Sequence, residues 1–313
     1  MKKVLVTGGA GFIGSHVVDL LIENDYGVVV VDDLSHGNIE YVNKKAKFYR
    51  VNICDNTKLK NIFQKECPDF VIHNAAQIDV RRSIKEPEFD AKINIVGSLN
   101  VIKCCREYGI ERIVYASTGG AIYGEPQYLP VDEKHPQNPL SPYGISKLTV
   151  EKYLSIYKQI YNLDYISLRY SNVYGPRQDP LGEAGVIAIF SRKLLRNETP
   201  IINGDGEQTR DFVFVEDVAM SNLLSLRKKT RSNVFNIGSG IETSINEIYE
   251  KLRGITNSKV EAVHGKYIKG EVRNISLDCS LAMKELEWEA TTNIDDGLNK
   301  TVSWFGSIIR NSH

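Results

Sequence analysis

Residues 3–14 read KVLVTGGAGFIG, a run of β-branched and aliphatic residues that gives way to four glycines within seven positions. The glycines satisfy two spacings at once, Gly9-x-Gly11-x-x-Gly14 and Gly8-x-x-Gly11-x-x-Gly14. Glycine is required where φ must be positive, where backbone must approach a pyrophosphate, and where helix and strand pack with no Cβ between them. A helix that begins at such a turn aims its free N–H groups and the positive end of its dipole at phosphate. Alone the turn is ordinary, since the chain holds 24 glycines. Its setting is what constrains the fold: a strand before, a helix after, and a second strand that ends on Asp32 and Asp33, 18 residues beyond Gly14.

An acidic side chain at the end of the second strand accepts both hydroxyl hydrogens of an adenine ribose and repels a 2′-phosphate, so the pattern favours NAD over NADP. No G-x-x-x-x-G-K-[ST] run is present, which disfavours a mononucleotide P-loop. Further β-rich runs follow at 47–51, 69–74, 112–117 and 165–169, and helical patterns such as 12–23, 93–108 and 143–161 separate most of them. Strand alternating with helix predicts right-handed crossovers and a parallel sheet. The expected fold is α/β: a Rossmann-type doubly wound parallel sheet over residues 1–172, then a smaller C-terminal α+β lobe over 173–313. That lobe is expected to hold helices near 185–196, 216–227 and 244–253 and strands near 209–215 and 234–237, with the chain free to cross back between lobes.

Composition excludes several functions. Lys plus Arg and Asp plus Glu both number 39, so no net field draws nucleic acid or an acidic membrane. No apolar stretch approaches the roughly 18–20 residues that span a bilayer, and the first residues lack the pattern of a signal peptide. The five cysteines form no C-x-x-C and are odd in number, which predicts reduced thiols in a cytoplasmic protein. The six histidines are scattered, and no metal site is expected.

Tyr143 and Lys147 stand one helical turn apart. A phenol acts as a base near neutrality only if its pKa falls by about three units, or roughly 4 kcal/mol. One ammonium about 4 Å away supplies that order of energy at an effective dielectric near 20, and an oxidised nicotinamide adds a second positive charge. Tyr41 and Lys45 repeat the spacing, but Tyr143 follows a strand ending in YAST at 115–118, where ligands bind in a doubly wound sheet. A hydroxyl there, Ser117 or Thr118, can hold a substrate hydroxyl while the phenolate takes its proton.

These segments resemble the extended short-chain dehydrogenase/reductase superfamily: TGGAGFIGSH (7–16), VVDDLSHG (30–37), VIHNAAQ (71–77), KINIVGSLNVI (92–102), YASTGGAIYGEP (115–126), PYGISK (142–147), LRYSNVYGPRQ (168–178), GDGEQTRDFVFVEDVA (204–219) and FNIGSG (235–240). Within it the chain is most similar to UDP-glucose 4-epimerases and related nucleotide-sugar epimerases. The resemblance implies bound NAD, with Gly8, Gly11, Phe12, Ile13 and Gly14 at the pyrophosphate and Asp32 on the ribose. It adds Asp33, Asn52, Ile53, Ala75, Ala76, Gln77, Asn94 and Tyr170 as cofactor contacts. Tyr143 is implied as the base and Lys147 as its electrostatic partner, with Thr118 or Ser117 as the hydroxyl aid. Thr118, Asn172, Arg210 and Ile275 are implied on the side of a UDP-sugar, which would be oxidised transiently at C4 and reduced from its other face.

Related 4,6-dehydratases and decarboxylases carry a carboxylate beside the catalytic hydroxyl. Here Gly119, Gly120 and Ala121 follow it, which disfavours dehydration. A reductase would exchange its nicotinamide every turnover, and a dinucleotide-sensing regulator would have no use for Tyr143 and Lys147. UDP-GlcNAc and UDP-glucuronate stay open as substrates. The chain departs from the family pattern at 268–271, where IKGE replaces a common Arg-Pro-Gly-Asp, making Lys266 or Lys269 the replacement for a second diphosphate arginine. Helices near 92–108 and 143–161 resemble those that pair in homodimers of this superfamily, so a homodimer is expected.

Overall fold

A computed structural model describes residues 1–181, 185–267 and 272–311; Lys269 lies outside the described residues. Six strands come first: β1 (Lys3–Thr7), β2 (Gly27–Asp32), β3 (Lys47–Arg50), β4 (Phe70–His73), β5 (Arg112–Thr118) and β6 (Tyr165–Tyr170). After them come β7 (Asn172–Tyr174), β8 (Ile201–Asn203), β9 (Thr209–Phe214), β10 (Val234–Ile237), β11 (Glu242–Ser244) and β12 (Val263–Gly265). Strands β1–β6 and β10 form one parallel sheet in the order β10-β6-β5-β4-β1-β2-β3. Strand order reverses between β1 and β4, so the connections that leave them run to opposite faces and open a crevice at their C-terminal ends.

The run VVVV at 28–31 shows why the sheet is covered twice. Val28 and Val30 enter one core with Val4 and Val6, under the helices Phe12–Glu23 and Val215–Arg227. Val29 and Val31 enter the other with Leu5 and Val71, under Asn56–Glu66, Ser98–Glu107 and Pro142–Tyr161. Alternate side chains of a strand point to opposite faces, so an unbroken apolar run needs a helix layer on each.

Residues 216–227 and 234–237 were expected in the smaller lobe, yet both belong to the main layer. β10 pairs in parallel with β6, and Phe235 and Ile237 share a core with Leu223 and Leu226 of the Val215–Arg227 helix. An uncovered edge of β6 would present unpaired N–H and C=O groups, and the returning chain caps it.

The smaller lobe comprises the sheets β11-β9-β7 and β12-β8 and a separate core. Phe190, Leu252, Leu298 and Val302 meet there from three helices, Val186–Leu195, Ile245–Thr256 and Ile294–Asn311. Among the described residues no helix is long and apolar enough to cross a membrane, and no cluster of His, Cys, Asp and Glu is placed to hold a metal.

Candidate active site

The glycine turn closes on itself at the C-terminal end of β1. Gly8 has φ of +69°, and a Cβ there would lie 2.6 Å from the backbone nitrogen of Ala75. A Cβ on Gly14 would fall 2.0 Å from the carbonyl oxygen of Gly8. Gly11 N–H donates to that same carbonyl at 3.1 Å, so the spacing that shapes the cradle is Gly8-x-x-Gly11-x-x-Gly14. Gly9 serves packing, since its Cβ would meet Val30 at 2.8 Å.

The turn forms one wall of a cavity of about 630 Å³. Phe12 and Ile13 line it at the start of the helix, and Asp32 and Asp33 line it at the end of β2. Asp32 accepts from the N–H of Ala10 at 3.0 Å and of Leu34 at 2.8 Å, which ties the second strand to the turn and leaves each carboxylate oxygen a further lone pair. Burial raises the Asp32 pKa against those two bonds. Burial acts the same way on Asp33, but the bonds from Ser35 and Asn52 prevail and hold it low. Asn52 Nδ2 donates to Asp33 Oδ2 at 2.6 Å, and Asn52 and Ile53 line the cavity beyond β3.

After β4 the wall is Asn74, Ala75 and Ala76. The Asn74 carboxamide is the feature the sequence reading passed over: its oxygen and nitrogen are both buried with no protein partner among the described residues. Buried amides are ordinarily bonded, so a polar ligand is indicated beside the glycine turn. Gln77 and Asn94 stand back from the cavity because they bond each other. Gln77 N–H donates to Asn94 Oδ1 at 2.8 Å, and Asn94 Nδ2 donates to Gln77 O at 2.9 Å and to Asp90 Oδ1 at 2.9 Å. They brace the wall from behind.

Tyr143 and Lys147 enter from the helix Pro142–Tyr161. Ser141 caps it by accepting from Gly144 N–H at 3.1 Å, Pro142 starts it, and Asn162 ends it in the left-handed region. Gly144 packs on the carbonyl of Ala121, which sets the first helical turn against residues 119–122. Both side chains line the cavity with Tyr170, whose hydroxyl accepts from Asn222 Nδ2 at 2.8 Å. Lys147 Nζ donates to the carbonyl of Ala116 at 2.8 Å and lies 5.9 Å from the centre of the Tyr143 ring. From sequence, this ammonium is expected to lower the phenol's pKa. Burial dominates, with Asp90 second, and Tyr143 is pushed up instead. Burial likewise lowers Lys147 to about 8, against Asp90 and Glu151, which favour its charge.

The structure separates the two candidate hydroxyls. Ser117 reaches the cavity, but its Oγ donates to Glu151 Oε1 at 2.6 Å. Glu151, two turns beyond Tyr143, is held by the fork of Arg169, Nε to Oε1 at 3.0 Å and Nη2 to Oε2 at 2.6 Å. Arg169 Nη1 donates on to the Tyr123 hydroxyl at 2.9 Å. This buried pair joins the helix to β5 and β6, and removing one member alone costs about 3–5 kcal/mol in such pairs. Among the described residues Thr118 is committed to no such bond. A Cβ on Gly120 would sit 4.0 Å from Thr118 Oγ1 and 3.9 Å from Asn172 Oδ1, so those two groups face the same space. A side chain at Gly119 would strike Leu277 at 2.5 Å, which leaves no room there for a carboxylate.

Thr118 and Asn172 are not among the residues that line the cavity, and the other two substrate-side residues also lie outside it. Arg210, on β9, donates from Nη1 to the carbonyls of Thr209 at 2.8 Å and Arg273 at 3.3 Å. Ile275 is buried in a small cluster with Tyr123, Val131 and Leu277.

A crevice at the switch point of a doubly wound sheet, with a glycine cradle, a strand-end carboxylate and a Tyr–Lys pair, defines a dinucleotide-dependent enzyme of the short-chain dehydrogenase/reductase type. The comparison with known sequences and structures agrees with that class. Residues 4–238 match the NAD dependent epimerase/dehydratase family, and the chain belongs to it. A UDP-glucose 4-epimerase of Mycolicibacterium smegmatis is 40% identical over 308 residues, 97% of this chain and 98% of the relative. Among solved structures, the Thermotoga maritima UDP-glucose 4-epimerase with UDP-glucose aligns at TM-score 0.96 and 48% identity, covering 98% of this chain and 99% of that one. The Thermus thermophilus UDP-glucose 4-epimerase in complex with NAD aligns at TM-score 0.93 and 39% identity, covering 97% and 98%.

Proposed function

We propose that the protein is an NAD-dependent 4-epimerase of a UDP-sugar, acting on the UDP-glucose and UDP-galactose pair. The observation that carries this is the combination of Tyr143 and Lys147 in the cavity, Thr118 Oγ1 and Asn172 Oδ1 both turned toward Gly120, and no acid at Gly119, Gly120 or Ala121. The cavity residues fit NAD: the cradle at Gly8 and Gly14 admits a pyrophosphate, Asp32 suits a ribose diol, and the Asn74 carboxamide gains a partner. NAD, when bound, supplies the hydride acceptor for C4 and a positive ring charge.

The chain's own groups handle the proton. Tyr143 takes it from the C4 hydroxyl while Thr118 holds the same oxygen. Lys147, pinned to Ala116 O, favours the phenolate. Burial favours the neutral phenol, and the positive charges of Lys147 and, when bound, of NAD act against it in favour of the phenolate. Without a carboxylate beside the hydroxyl, nothing assists loss of water from C6, and the ketone is reduced from its other face. Arg210 is assigned to the diphosphate, since a guanidinium fork bonds two oxygens.

The wider reading is of a main domain for NAD over 1–172 and a lobe mainly for the nucleotide sugar over 173–313, with β10 crossing back. A cytoplasmic homodimer is proposed with it. Free Cys54, Cys67, Cys104, Cys105 and Cys279 support the location. Exposed Ile145, Ile156 and Ile160 along the Pro142–Tyr161 helix support the pairing. The test is a substrate panel of UDP-glucose, UDP-GlcNAc and UDP-glucuronate, each followed by chromatography with the NAD-loaded protein. UDP-galactose is the expected product, while stoichiometric NADH or a dehydrated sugar would end the epimerase reading.

A further inference from the structure

The cavity has a boundary that the strand ends do not supply. Trp304, Phe305 and Ile308 of the helix Ile294–Asn311 line it together with the glycine turn and Asp32. That helix is rooted in the smaller lobe through Leu298 and Val302. Trp304 nevertheless reaches Tyr41, in the loop that follows β2, with ring centroids 6.4 Å apart at 63°. Arg177 completes the cluster: its guanidinium lies 5.8 Å from the Tyr41 ring centroid, and Nη1 pairs with Asp19 of the glycine-turn helix at 2.7 Å. Phe305, nearly fully buried, braces Trp304 from behind at 4.8 Å between ring centroids. The helix lies beyond the 4–238 segment of the family match.

The walls at the strand ends and the glycine turn are fixed by backbone hydrogen bonds and do not open without breaking the sheet, while residues 35–38, Tyr41, residues 177–180, Arg192 and Arg196 line much of the rest. The helix is different, because at Trp304 it meets the β2 loop through an aromatic contact rather than through backbone. We propose that this helix is the gate that retains the dinucleotide: Trp304 seated on Tyr41 closes the cavity over NAD, and unseating Trp304 is the step through which NAD leaves. The proposal rests on the reading of this cavity as the NAD site. Retention matters for a transient oxidation, since a cofactor lost in mid-cycle strands the ketosugar.

The experiment loads wild type, Trp304→Ala, Trp304→Phe and Tyr41→Ala with NAD. Each is diluted into an excess of an NAD-hydrolysing enzyme, and the NAD still held by the protein is measured over time. Release about tenfold faster is expected for Trp304→Ala and Tyr41→Ala, with Trp304→Phe near wild type, as loss of one aromatic contact predicts. Release rates within twofold of wild type in both alanine variants would overturn the gate. Gly14→Val and Asp32→Asn are expected to load far less NAD than wild type. Normal loading of both would show that NAD sits elsewhere, which overturns the cavity assignment and the gate with it.

Discussion

The C-terminal edge of the main sheet and the smaller lobe build their parts of the site in different ways. At the sheet edge, Gly8, Asp32, Ala75 and Tyr143 come from far apart in sequence and line one cavity, because each lies at or just beyond a strand end or at the start of a helix. In the lobe, Arg210 bonds backbone carbonyls and Ile275 packs in a small apolar cluster. Position at the sheet edge is set by backbone, and function there tolerates no change of spacing. In the lobe the side chains of Arg210 and Ile275 are set by their own bonds and contacts away from the cavity, so recognition of the sugar nucleotide can be altered with the cofactor grip left intact.

The sharpest way to break that contrast is to remove chemistry from the sheet edge without touching its shape. Tyr143→Phe keeps the ring and loses the proton acceptor. Turnover should fall about 10²- to 10⁴-fold, the span usual for a general acid–base group, while bound NAD per chain stays at the wild-type level. Full activity in this variant would remove Tyr143 from the mechanism.

The next test lies within the strand end. Thr118→Val should lower turnover about 10²-fold, as loss of one positioned hydrogen bond in an active site does. Ser117→Ala should leave turnover within a few-fold and lower stability by about 1–3 kcal/mol, because Glu151 loses a buried donor. If the two outcomes are exchanged in kinetics and in thermal melts, the roles of the hydroxyls are exchanged too.

A smaller effect is expected in the lobe. Arg210→Lys keeps the charge and loses the fork, so the KM for the UDP-sugar should rise about tenfold with NAD content unchanged. An unmoved KM would make Arg210 a structural residue tied to Thr209 and Arg273.

How much of this was legible follows the same division. The first six strands, the glycine turn and Asp32 carry local signals, and their places are legible to within a residue or two. The Tyr143 and Lys147 pair was legible as spacing, but not the direction of the phenol's pKa, which depends on burial that no local pattern encodes. The choice between Ser117 and Thr118 was closed to sequence because it turns on Glu151 and Arg169, 34 and 52 residues beyond Ser117, which meet only after β5, β6 and the Pro142–Tyr161 helix pack. β10 was misplaced for the same reason, since VFNI carries no mark of which sheet edge it joins. Asn74 had a signal, a polar residue directly after a buried strand, that went unused.

The mildest test probes what holds the cofactor wall without lying in the cavity. His73 is buried at the end of β4, with Nδ1 2.6 Å from Thr7 Oγ1 and Nε2 2.9 Å from Ser98 Oγ. Ser98 donates to the carbonyl of Asn94, so its oxygen accepts from Nε2–H, and Nδ1 accepts from Thr7. Both nitrogens are thereby satisfied by the neutral ring. Burial, with Lys147 second, lowers the pKa to about 3. Above pH 6.5 the folded and unfolded chains both carry neutral histidine, and the group has no effect on pH dependence. Below 6.5 the unfolded chain takes up a proton that the folded chain refuses, so stability falls by about 1.4 kcal/mol for each pH unit down to about pH 3. His73→Gln replaces the ring with a group that does not titrate. In denaturant melts at pH 7.5 and pH 5.5, the wild type should lose about 1.4 kcal/mol more than the variant. An equal loss in both would show that His73 already titrates in the folded wall, and that this region is looser than the fixed backbone around it implies.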